Sequence, residues 1–162
     1  PYPQPCLHGD TMPHSILWSL VLALHLISII MWIGGGAYAA VVLRPSLSLL
    51  DQTQRNSVHL QTMARFFKGL THAIPTALIT GWLLVLHEGG FANAPWTTNA
   101  MQLLGLIMAV LFVRMYMGTY QKLRRAIRPQ ASGFDSVRKQ VLLIVALGIL
   151  AVLSACLGHP FV

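Results

Sequence analysis

The run Ser15-Ile-Leu-Trp-Ser-Leu-Val-Leu-Ala-Leu-His25-Leu-Ile-Ser-Ile-Ile-Met-Trp32-Ile-Gly-Gly-Gly36-Ala-Tyr-Ala-Ala-Val-Val-Leu43 contains no Lys, Arg, Asp or Glu and stops at Arg44-Pro45. About 20 predominantly apolar residues suffice for a helix to cross the hydrocarbon of a bilayer, so this run predicts a membrane span. Three further apolar runs follow, and together the four spans predict an all-α, integral membrane four-helix bundle. It forms a single transmembrane domain with spans at residues 15–43, 65–87, 98–123 and 137–158. Proline after Arg44 is read as the stop of the first helix, and Pro75 predicts a kink within the second. Glu88-Gly89-Gly90 ends the second helix, Asn93 to Trp96 forms the next loop, and Pro129 to Gly133 the turn before the fourth.

Composition agrees with this pattern. Hydrophobic residues make up 55% of the 162 and charged residues only 9%, against about 25% charged in a soluble domain. Mean hydropathy is +0.63. The four spans leave no room for a separate soluble domain. The net charge of +7 does not form a basic face for nucleic acid, because the cations sit in short segments between apolar runs.

Those segments predict orientation. Arg44, Arg55, Arg65 and Lys68 mark the connection between the first two helices. Lys122, Arg124, Arg125, Arg128, Arg138 and Lys139 mark that between the last two. The N-terminal arm, the stretch from Glu88 to Thr97 and the C-terminus carry no Lys or Arg. The positive-inside rule puts both basic connections in the cytoplasm and both termini on the outer side, in a bacterium the periplasm. The expected location is the bacterial inner membrane. The start at Pro1 rather than Met fits a chain from which an upstream segment was removed or left out. Cys6 and Cys156 would then share the outer side, where a disulfide is one option and two free thiols the other.

Orientation sorts the histidines. His8, His14, His87 and His159 fall at the outer face, His25 and His72 within spans, and His59 in the cytoplasmic connection. Depth counted from the inner arginines and lysines puts His25, His87 and His159 about 28–30 Å above that boundary, on one level. His14, His25, Trp32 and Gly36 share a face of the first helix. Gly34-Gly35-Gly36 leaves room for a neighbouring helix or a flat ligand. His72 and His87 are about 60° apart in projection, which allows both to face the interior. Arg114, the one charge well inside the third span, either snorkels to the inner interface or holds a haem propionate or a quinone near His72. Tyr116, Tyr120 and Trp96 read as interface anchors, and Met101, Met108 and Met115 as a packing stripe.

Three readings of the histidines stay open. In one, two imidazoles clamp the iron of haem b, His25 with His87 first, then His72 or His159, with Trp32 and Arg114 beside the cofactor. In the second, His25, His87, His159 and His14, with Cys6, Asp10 and Glu88 nearby, hold copper. In the third, the histidines only tie helices together. Ionisable groups inside a membrane span favour a functional reading.

The segments Leu24-His25-Leu26, Met31-Trp32-Ile33-Gly34-Gly35 and Leu43-Arg44-Pro45 resemble the first helix of the copper resistance D (CopD) family. They are also similar to the haem-binding HemJ-type protoporphyrinogen oxidases, as is Arg65-Phe66-Phe67 with Ile74-Pro75-Thr76, though in that group the latter segment belongs to a later helix. The resemblance implies a four-helix membrane core with His25 as a haem or metal ligand. It also implies copper passage across the inner membrane on the CopD side and a bound haem b on the HemJ side. The function expected of this chain is electron transfer through haem b with partner redox subunits, with copper handling or a structural subunit of a membrane complex as the alternatives. The segment order and the lack of a Lys within the third span depart from the HemJ pattern, which sets protoporphyrinogen oxidation apart as the outside option.

Overall fold

The computed structural model describes residues 12–126 and 131–158, with the backbone alone for residues 12–15, 44, 131 and 132. Four helices long and apolar enough to cross a membrane account for nearly all of it, and no strand occurs among the described residues. The first helix occupies residues 12–49. It is α-helical over Met12–Ile29, then passes through two wider π-helical stretches, Ile30–Gly34 and Tyr38–Val42, and ends in a 3₁₀ turn at Leu47–Leu49. The second helix is Gln52–His87. The third runs Trp96–Arg125 with a π-helical stretch at Met115–Tyr120, and the fourth is Ala131–Leu157.

The first helix packs along the second, and the third along the fourth. The π-helical half of the first helix also turns onto the fourth. The seam of the first helix is Ser28, Trp32, Gly36, Ala40 and Leu43, each three or four residues beyond the last and each buried, the spacing of one helical face. Most other large apolar side chains of the four helices are exposed, from Ile16 and Leu20 to Leu150 and Leu153. Such an outer surface is consistent with lipid contact.

Three boundaries differ from the sequence reading. Arg44-Pro45 does not stop the first helix, which continues through Ser46 to Leu49. The proline ring would meet the carbonyl four residues back; that residue, Val41, lies in a π-helical stretch, where the carbonyls are displaced, and the Ser46 hydroxyl donates to the Val42 carbonyl at 2.9 Å. The second helix starts at Gln52 rather than Arg65, so the connection shrinks to Leu50-Asp51. Residues 52–64 are too polar to read as a span, but His59, Met63, Phe67 and Leu70 form an amphipathic stripe that is buried against the bundle. His59 is therefore helical and buried, its ring stacked on Phe134 at 4.7 Å, and not in a loop. The fourth helix likewise begins at Ala131, inside the expected turn. The second helix runs unbroken through Pro75. Its C-terminus does end at Glu88-Gly89-Gly90, both glycines having positive φ, with the Gly90 N–H closing on the Val85 carbonyl at 2.9 Å.

The half of the bundle that leads to the basic connections, here named the inner half and its opposite the outer half, is held by aromatic packing. Phe67 meets Tyr120 at 4.7 Å, Phe112 at 5.8 Å and Tyr116 at 6.2 Å, all edge-on, the geometry that ring quadrupoles favour. Tyr120 is only 2% exposed, so it is a core residue and not the interface anchor its position suggests.

Candidate functional site

His25 leaves the first helix toward the second, at a point where the second helix has no side chain. A Cβ on Gly81 would lie 2.8 Å from His25 Cε1; only glycine lets the imidazole approach this closely. The ring Nδ1 lies 2.8 Å from the Ala77 carbonyl and 3.0 Å from Thr80 Oγ1, while the Thr80 hydroxyl donates to the Thr76 carbonyl at 2.6 Å. A carbonyl only accepts, so the proton of the neutral ring sits on Nδ1 and the Nε2 lone pair is free. An N–H anchored on a backbone carbonyl is how metal-ligating histidines are usually oriented.

The ring borders a cavity of about 60 Å³ lined from all four helices, with Trp32, Met101, Gln102, Met108 and Gly148 among its walls. The fourth helix comes close at Gly148, where a Cβ would stand 2.7 Å from Ile33 and 3.0 Å from Met108 Cε. Two buried polar atoms of this wall, Trp32 Nε1 and Gln102 Nε2, have no hydrogen-bond partner. Buried polar groups are normally satisfied, so these two N–H groups call for an acceptor such as a water molecule.

The other histidines do not join His25. His72 and His87 are both exposed, because the buried stripe of the second helix runs through Ala73, Ile74, Ala77, Thr80, Gly81 and Val85 and passes them by. The His87 ring rests on Trp18 at 3.9 Å. Trp18 is seven residues before His25, so His87 sits about 10 Å nearer the outer end. The common level of His25 and His87 is therefore corrected. Lys68 and Arg44 do not mark one boundary: in this antiparallel pair, the level of Arg44 falls near residue 60 of the second helix, about 12 Å inward of Lys68. His159 lies outside the described residues, as do Cys6, His8 and Asp10, and of His14 only the backbone is described. Cys156 is an exposed thiol. Arg114 is exposed on the third helix and lines a groove with the fourth; His72 is not among that groove's residues. Gly35 and Gly36 make room for Phe66 and for Val145 of the neighbouring helices, not for a flat ligand.

Among the described residues no three His, Cys, Asp or Glu side chains gather into a metal site. The cavity beside His25 is smaller than the about 300–1,000 Å³ that a cofactor-sized ligand takes, and the nearest histidine on the second helix is offset by about 10 Å. Met101 and Met108 line the cavity together with His25, and thioethers with an imidazole are donor types that suit a soft metal ion. The pair Met101 and Met108, which the sequence alone reads as packing, lines this cavity. Its seven-residue repeat was the signal, but a repeat does not reveal which face of the helix meets His25. Comparison of the chain with protein-family models, with curated proteins and with solved structures finds no match in any of the three.

Proposed function

We propose that this chain is a multi-pass membrane protein that binds a single soft metal ion, copper(I), at His25. The observation that carries this is the His25 ring, held through Nδ1 on the Ala77 carbonyl, lining a cavity together with Met101 and Met108. Neutral nitrogen and thioether donors without a carboxylate select copper(I) over harder cations. His25 supplies the fixed ligand, Met101 and Met108 the soft ones, and the Thr80 hydroxyl orients the ring. The ion is cargo or a one-electron centre that the protein binds; none of these residues has to make or break a covalent bond.

The basic connections support an orientation with both termini outward and a location in the bacterial inner membrane. The cavity would then lie in the outer half, reached from the side that carries His87. Haem b on His25, serving electron transfer with partner subunits, is the competing reading, favoured only by the same fixed imidazole. One experiment separates them: an anaerobic copper(I) titration and a reduced-minus-oxidised spectrum on the same purified sample. One copper per chain with no Soret band supports the proposal. A Soret band lost in His25→Ala would replace copper with haem, and neither signal would leave His25 a packing residue.

A further inference from the structure

At the inner end of the third and fourth helices lies a groove of about 690 Å³. Two cations stand on its third-helix wall, Arg114 and Lys122, and none of the residues lining it is a carboxylate. Lys122 is eight positions beyond Arg114, so Arg114 lies roughly two helical turns deeper along the helix than Lys122. Between them the floor is polar, where Gln140 donates to the Thr119 hydroxyl at 3.2 Å. Beyond Arg114 the walls become apolar at Leu111 and Leu143, and Leu143 is about half exposed on the outer surface of the bundle. Gly118 leaves the middle open, since a Cβ there would meet nothing within 4 Å.

A groove that is cationic at one end, hydrogen-bonding in the middle and apolar where it meets the bilayer matches an amphiphile with an anionic head. We infer that it binds an anionic phospholipid of the leaflet on the basic side, its phosphate between Lys122 and Arg114 and an acyl chain along Leu111 and Leu143. Basic pockets between transmembrane helices are the usual setting for such headgroups. Charge complementarity chooses this occupant over a zwitterionic lipid, and the apolar end chooses it over a soluble phosphate. The inference uses none of the residues of the His25 cavity except their common bundle, and it stands or falls apart from copper binding.

Native mass spectrometry of the purified full chain, given phosphatidylglycerol or phosphatidylcholine in detergent, tests it. The expected result is a discrete one-lipid adduct with phosphatidylglycerol, preferred about 30-fold from two cations. That preference should fall to near parity in the Arg114→Gln/Lys122→Gln double variant. Gly118→Leu fills the groove without changing charge or breaking the helix, and should abolish the adduct while the copper stoichiometry stays as in the parent. The Arg55→Gln/Lys139→Gln variant, equal in charge but away from the groove, should keep the preference. An equal loss in that control would overturn the site in favour of diffuse surface charge. Displacement of the adduct by inorganic phosphate would overturn the lipid in favour of a free anion. An undiminished adduct in Gly118→Leu would overturn the groove.

Discussion

The two halves of this bundle put their interiors to opposite uses. The inner half closes around rings, with Phe67, Phe112, Tyr116 and Tyr120 in mutual contact and Phe67 only 1% exposed. The outer half brings the same four helices around a cavity and spends it on an imidazole, an unpartnered indole N–H and an unpartnered amide. Close packing and ring geometry account for the aromatic cluster of the inner half. They do not account for the outer one, where an apolar side chain at position 25 would fill space without leaving polar atoms to satisfy. The contrast teaches that the aromatic core and the proposed copper site are separable here, along the length of the same helices.

The largest effect should come from breaking the inner half. Phe67→Ala removes the ring that the other three share, and should cost about 3–5 kcal/mol, read as a large drop in thermal unfolding temperature in detergent. The copper bound per folded chain should stay unchanged. Gly148→Val acts at the boundary of the outer half, driving a branched side chain into Ile33 and Met108. Overpacking of this kind costs about 1–3 kcal/mol, and here it should also weaken copper binding, because it displaces a cavity wall. If both substitutions lowered copper affinity alike, the division between the halves would be lost.

Thr80→Val sharpens the comparison from the other side. It removes a hydroxyl beside Nδ1 and leaves the Ala77 carbonyl in place, and loss of an outer partner of a ligating histidine lowers metal affinity about 10–100-fold. Competition with a chromophoric copper(I) chelator measures this, with little change in unfolding temperature. The smallest effect is expected at His72→Ala, since that side chain is exposed off the buried stripe. Its stability should stay within about 0.5 kcal/mol of the parent, and its copper affinity should match.

The four spans were legible because hydropathy over about 20 residues is a strong and local signal. The inward extension of the second helix was not, because residues 52–64 are helical by amphipathic contact with the bundle and not by lipid solubility. His25 stood out as an ionisable group in an apolar run, whereas its partners required knowing helix register. Counting from charges paired His25 with His87, while the contacts pair it with Ala77 and Thr80 and leave His87 on Trp18. A lysine that snorkels is a poor ruler, since its head reaches the interface from more than one depth.

The most direct test of the account is an anaerobic copper(I) titration of the purified chain, its His25→Ala variant and its Met108→Leu variant. Leu for Met conserves volume and costs little stability, so any loss there reports on the thioether. The account predicts one tightly bound copper(I) in the parent, none in His25→Ala, and weakened binding in Met108→Leu. A folded His25→Ala protein that still holds its full copper would contradict it.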